Sequence, residues 1–335
     1  MRNRSIVLAA ILILSLTSWS AFALRTSDDH DEALDWRTDR QAYESVRRVP
    51  PPPVSVLAAG SFERFDIAPG DLRQRVSELS GDAPVRLEGI EVRIQERRSE
   101  TGKSKARKHL SNLYRDAGFE VSLQTYSFGN NFVAEKKGTD PASKVLILTS
   151  HLDSVQCPGA DDDGTGTVSA WAIARALANR EFTHTLRIVA FDQEEQGLIG
   201  SFRYVQSLTA EERARILGVI NLEMTAYHSK GDGGFHTIDC DRGDSVFLSE
   251  SLQSAITALQ LPLTRVSACT NRSDHASFWR ANIPAIVVAQ NFFGGDANPC
   301  YHKACDRPDV LNFEYMARLT QAVASTTSHL LVPTR

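Results

Sequence analysis

Four short, largely apolar runs, Val145–Leu148, Leu186–Phe191, Val219–Leu222 and Ala285–Ala289, punctuate this chain from residue 145 onward. A strand that stays apolar along its length is covered on both faces, as in a parallel sheet packed inside helices. Helical patterns fill the gaps. Leu110, Leu113, Tyr114 and Ala117 fall on one face of a helix over Ser104–Ala117, which Gly118 closes. Thr167–Leu177 and Ser245–Leu259 read as helices, and Phe313–Leu331 as a last one. Thr209-x-x-Glu212 is a capping-box signature for a helix that ends near Gly218. Strands alternating with helices predict an α/β fold, a largely parallel sheet with helices on both faces.

The 335 residues suffice for one large domain, and 42% hydrophobic content allows a real core. A net charge of −4 is too mild to suggest a nucleic-acid partner. The basic cluster Arg97–Lys108 is interrupted by Glu100 and leads into a helix, so it reads as a solvated helix face. Arg2 and Arg4 precede the apolar run Ile6–Leu16, and Ala21-Phe22-Ala23 offers a small-x-small cleavage site. Residues 1–23 are therefore expected to be a signal peptide, and the protein to be exported, periplasmic or secreted. After cleavage no membrane association is expected, and the protein is expected to be a monomer. Residues 24–70, broken by Pro50-Pro51-Pro52-Pro53, read as a leader, which places the catalytic domain at 71–335. Five cysteines permit disulfides in an exported chain but leave one unpaired. Cys300 and Cys305 flank a loop histidine, Cys240 and Cys269 offer a second pair, and Cys157 is a candidate free thiol. Spacing alone does not decide among pairings.

The chemistry gathers where the apolar runs end. Val145–Leu148 leads to His151 and Asp153, and then to Asp161-Asp162-Asp163 between glycines. Leu186–Phe191 leads to Glu194-Glu195, and Val219–Leu222 to Glu223. Beyond Ala285–Ala289 comes His302, with Ser273-Asp274-His275 just before that run as a supporting element. Singly, each has a bland reading as a surface histidine or a solvated acid. Jointly they lie at the carboxyl ends of parallel strands, where open α/β sheets bind ligands. His, Asp and Glu suit zinc or a similar divalent ion, and a bridging carboxylate suits two ions. Adjacent glutamates point apart, so one can ligate while the other serves as general base. No Gly-x-Ser-x-Gly elbow, phosphate-binding Gly-rich Lys loop or His-Glu-x-x-His helix offers a rival chemistry.

Ser150-His-Leu-Asp-Ser154, Pro158-Gly-Ala-Asp-Asp-Asp163, Phe191 to Gly200, Asn221-Leu-Glu-Met224, Ser273-Asp-His-Ala-Ser277 and Tyr301-His302 occur in that order. At these residues the chain strongly resembles the co-catalytic zinc aminopeptidases of peptidase clan MH, the bacterial leucyl aminopeptidase type. The resemblance implies a three-layer α/β/α sandwich with a central, mostly parallel mixed sheet and zinc at the strands' carboxyl ends. It implies two Zn2+ per chain, with Asp162 bridging, His151 and Glu223 completing one ion, and Glu195 and His302 the other. It makes Glu194 the general base, has Asp153 orient His151, and implies a cis peptide between Asp162 and Asp163. The substrates it implies are peptides with a free N-terminus. Met224, Phe292, Phe293 and Tyr301 are candidates to line the pocket for the first side chain. One departure is Glu223, where the family usually has Asp, since the extra methylene moves the carboxylate by roughly 1.5 Å. One zinc instead of two is the resulting alternative. The alternative activity is that of the related single-zinc glutaminyl cyclases. Carboxypeptidases and ligand-less scaffolds are more distant relatives, and the complete ligand set speaks against a scaffold.

Overall fold

In the computed structural model, which describes residues 62–334, strands and helices alternate as the apolar runs predict. The signal segment at 1–23 and most of the leader expected at 24–70 lie outside the described residues. The strands are Val85–Leu87 (β1), Ile90–Val92 (β2), Glu120–Tyr126 (β3), Gly129–Lys136 (β4), Val145–His151 (β5), Thr185–Phe191 (β6), Ile216–Glu223 (β7), Gly234–Ile238 (β8), Thr264–Arg265 (β9) and Ala285–Gln290 (β10). The helices are Pro69–Leu79 (α1), Glu100–Asp116 (α2), Gly166–Leu177 (α3), Ile199–Ser207 (α4), Ala210–Arg215 (α5), Val246–Ala258 (α6), His275–Arg280 (α7) and Phe313–Leu331 (α8). β1 and β2 form a small hairpin. The others make one eight-stranded sheet in the order β3-β4-β6-β5-β7-β10-β8-β9. Its centre, β6, β5, β7 and β10, is parallel. Direction reverses where β4 meets β6 and where β8 meets β10.

Each central strand serves two cores. Leu146, Leu148, Ile188, Ile220 and Val288 enter the larger one, shared with α1, α2, α3, α6 and α8. Val145, Ile147, Val189, Val219 and Val287 enter the smaller one, shared with α4 and α7. Successive side chains point to opposite faces, so burial of both faces leaves few polar positions in the runs, Arg187 and Asn221 being the exceptions. The folded body begins before residue 71. The Phe62 ring lies 4.6 Å from that of His329, and the Phe65 amide donates to Gln321 Oε1 at 2.8 Å, which lays residues 62–68 against α8.

Three expectations from the sequence are corrected. α2 starts at Glu100, earlier than its apolar periodicity, because Ser99 caps it by accepting the Gly102 N–H at 3.1 Å. α5 has its capping box but stops at Arg215, and Gly218 lies inside β7. The glycine is there for packing: a Cβ would stand 3.0 Å from both terminal methyl carbons of Leu248. The basic run is a solvated face only in part, at Arg98, Lys108 and the half-buried Lys105. Arg97, Lys103 and Arg107 are buried. Lys103 Nζ lies 2.6 Å and Arg107 Nη1 3.5 Å from the carboxylate of Asp192, at the end of β6. Arg107 also pairs with the nearby Glu100, but the Asp192 counter-charge is far away in sequence, so local composition could not reveal it.

Candidate metal centre

β5 lies between β6 and β7. The chain leaves β5 through α3 on the larger-core face to reach β6. It returns through α4 and α5 to β7 on the other side of β5. The connections part at the carboxyl end of β5 and leave a crevice there, the usual ligand site of such sheets.

Every ligand predicted from the sequence reaches this crevice. His151 Nε2 lies 3.0 Å from Asp162 Oδ1 and 3.5 Å from Glu223 Oε1. His302 Nε2 lies 3.0 Å from Asp162 Oδ2 and 3.0 Å from Glu195 Oε2. Asp162 therefore stands between two donor groups, with one oxygen toward each. Its Oδ2 and His302 Nε2 are both buried and close, yet neither is aligned for a hydrogen bond. Buried polar atoms are normally paired. Donors that converge without bonding each other suit a shared cation, and the His/Asp/Glu chemistry fits zinc.

Asp163 also brings a donor atom within 4.8 Å of those of His151 and Glu223. Its oxygens are already engaged: Oδ2 accepts the His151 N–H, and Oδ1 those of Gly166 and Met224, all at 3.0 Å. It ties three ligand-bearing segments together. Asp161 Oδ2 accepts from Gln290 Nε2 and Asn298 Nδ2, each at 2.8 Å. Asp306 accepts the N–H groups of Asp161 and Asp162 at 2.9 and 3.2 Å. Asp153 stays beside the His151 ring. Its carboxylate is 3.6 Å from His151 Nδ1, whereas its own carbonyl is 3.1 Å away. The carboxylate also accepts the N–H groups of Glu194 and Glu195, at 3.0 and 3.3 Å. The Asp162–Asp163 peptide is cis. Gln193, Met224 and His302, each at or beside a site residue, have positive φ of 61°, 46° and 59°. Non-glycine residues hold that conformation only where their surroundings enforce it.

Negative charge is in excess here. Burial raises the Glu194 carboxyl well above the usual range, and Asp274, Glu195 and Glu223 add to this against the His151 ring. Burial and Asp162 bring Glu195 to about 7, against the pull of His302. Burial disfavours a charged His302, but Asp162 and Glu195 prevail and bring it to about 10. Burial also works against the Asp162 charge, and His151 and His302 overcome it and hold that carboxyl low. Such a cluster favours cations.

Sequence reading missed Asn221 and the specific part played by Ser273. Thr149 Oγ1 donates to Asn221 Oδ1 at 2.6 Å, Asn221 Nδ2 to Ser273 Oγ at 2.7 Å, and Ser273 Oγ to Glu223 Oε2 at 2.6 Å. This chain holds the longer carboxylate with Oε1 toward His151. His275 lies beside the Thr270 carbonyl, and burial lowers its ring to about 4. Met224, Phe292, Phe293 and Tyr301, with Ile238 and Ala289, line an apolar hollow beside Glu223. Cys300–Cys305 closes the loop around His302, and Cys240–Cys269 ties down the segment leading to Ser273. Cys157 is free and buried, and burial with Asp306 and Asp162 pushes its thiol up to about 12, which makes it a poor nucleophile.

The model of peptidase family M28 matches residues 131–327, more than half of the chain. Leupeptin-inactivating enzyme 1 of Streptomyces exfoliatus is 34% identical over 230 residues, covering 62% of this chain and 51% of that protein. Leucine aminopeptidase 2 of Arthroderma otae is 28% identical over 297 residues, covering 80% and 59%. The chain thus spans about half the length of these curated relatives. Among solved structures, BSAP, a zinc aminopeptidase from Bacillus subtilis, has a TM-score of 0.72 at 16% identity over 81% of this chain and 97% of its own. Bacteroides thetaiotaomicron glutaminyl cyclase has a TM-score of 0.65 at 15% identity over 79% and 98%. At such identities the likeness is one of fold.

Asp163→Asn would leave one oxygen for three N–H donors. It should cost about 1–3 kcal/mol in urea denaturation of the metal-free protein. A loss below about 0.5 kcal/mol would show that the three segments do not depend on this carboxylate.

Proposed function

The chain belongs to peptidase family M28, and on that premise we propose that it is an exported zinc aminopeptidase that removes N-terminal residues from peptides. The observation that carries this reading is Asp162, with one oxygen toward His151 and the other toward His302. Asp162, His151 and Glu223 would hold one ion, and Asp162, Glu195 and His302 a second. When bound, zinc supplies the Lewis acidity that brings the pKa of water toward neutrality and polarises the scissile carbonyl.

The proton is handled by Glu194. Its amide is anchored on Asp153, and burial among other acids raises its affinity for a proton. It takes a proton from the attacking water and passes it to the departing amine nitrogen. The excess of acids favours a substrate's terminal ammonium over a terminal carboxylate, which supports an aminopeptidase over a carboxypeptidase. The apolar hollow beside Glu223 suits an apolar first side chain. Two disulfides and the apolar segment Ile6–Leu16 behind Arg2 and Arg4 support export. A monomer acting on peptides is the simplest form of this enzyme.

Zinc-loaded protein should be given peptides beginning with Leu, with Gln, and with an N-acetyl group. Mass spectrometry should find the first residue lost from the two free-amine peptides alone. Loss of ammonia from the Gln peptide alone would instead establish a cyclase, with Glu223 no longer serving a second ion. Glu194→Gln should lower kcat by about 10²-fold or more while zinc content stays constant; near-normal turnover would remove Glu194 as the base. Expressed with its own N-terminus, the exported protein should begin after Ala23, and an intact Met1 would overturn the signal assignment.

A further inference from the structure

Arg97 is 1% exposed, and among the described residues no carboxylate pairs with it. Its guanidinium is satisfied by main-chain carbonyls. Nε donates to Leu152 O at 2.7 Å, Nη1 to Leu79 O at 2.9 Å and Pro158 O at 2.8 Å, and Nη2 to Gly159 O at 2.7 Å. Its own N–H donates to Ser154 Oγ at 3.0 Å. Leu152 directly follows His151, and Gly159 shortly precedes Asp162. One planar group therefore grips both ends of the loop that joins two ligands.

The loop is wrapped tightly around that group. Gly159 has φ of 60°, and a Cβ there would meet Arg97 Nη2 at 2.8 Å and Ser154 Cβ at 2.7 Å. Burying a cation among neutral dipoles is costly, so an apolar residue would be the better filler if packing were all that mattered. A fork of five N–H donors gathers carbonyls from several directions, which a lysine with its donors on one nitrogen does not. The guanidinium also lies beside the turn bearing Asp161, Asp162 and Asp163, with Nη2 3.8 Å from where a Cβ on Gly164 would stand.

We propose that Arg97 is a positioning residue for the metal ligands, setting the separation of His151 from Asp162 through the loop carbonyls it holds. The proposal rests on the metal-site reading given above. Zinc affinity of the unaltered chain is measured first, by competition with a chelating dye. No binding would sink the metal-site reading itself, and this proposal with it. R97K is then compared for zinc affinity, for thermal midpoint with and without zinc, and for kcat and KM. Folded R97K should bind zinc about 10- to 100-fold more weakly, the scale for groups that orient ligands. Its kcat should fall, with KM changed by less than about 3-fold. Leu110→Ala, in the core of α2, is the control, with a lower thermal midpoint and unchanged zinc affinity. R97K with wild-type zinc affinity overturns the proposal whatever its thermal midpoint, because the clamp would then be structural only. Should R97K not fold, Ser154→Ala takes its place: several-fold weaker zinc binding supports the proposal, and unchanged binding overturns it.

Discussion

Like-charge repulsion at the carboxyl ends of the central strands is the constraint on which the rest of this structure depends. Asp153, Asp161, Asp162, Asp163, Glu194, Glu195, Glu223, Asp274 and Asp306 crowd around two imidazoles. Apart from Glu194 and Asp274, the acids of the cluster divide into two kinds. Asp153, Asp163 and Asp306 place their oxygens on backbone N–H groups, and Asp161 on the amides of Gln290 and Asn298. Their charge is spent on holding the loops. Asp162, Glu195 and Glu223 instead direct oxygens toward the two histidines, where a bound cation would offset what the protein does not. One set of side chains is thus both scaffold for the loops and receptor for metal.

Much of this was legible in the sequence. Runs such as Val145–Leu148 announce a doubly covered strand without any partner being known, because burial of both faces removes the polar alternation. Ligands such as His151 and Glu223 follow such runs directly, so strand and chemistry are read from the same stretch. Boundaries were less legible. Gly218 reads as a helix stop because glycine often is one, but here the glycine accommodates Leu248, a neighbour that only the folded chain supplies. The hairpin β3–β4 escaped notice because β3 lies at the sheet edge and is largely exposed, with no apolar run to mark it.

The basic stretch failed for a different physical reason. Lys103 is neutralised by Asp192, far away in the chain, Arg107 by Asp192 together with the nearby Glu100, and Arg97 is satisfied by carbonyls, which every residue carries. Backbone acceptors leave no mark in an amino-acid sequence. Asp153 is a similar case: its spacing from His151 suggests ring orientation, and nothing in that spacing reveals that its carboxylate also grips the amides of the Glu194–Glu195 turn. Side-chain chemistry at strand ends can be read ahead of the structure, and the main-chain contacts that aim it cannot.

The ligands come from five separate segments, the first at His151 and the last at His302. No local piece of the chain contains a site, and none can assemble one before β5, β6, β7 and β10 have paired. Contacts of such sequence separation form late, after the entropy of closing long loops has been met. Metal therefore cannot nucleate this fold as it does in a zinc finger, where a few neighbouring residues enclose the ion. A bound ion would arrive after the sheet and hold only the native state, so its free energy would add to global stability and not to that of any one loop. Occupancy is in that sense a report that the whole sheet has formed.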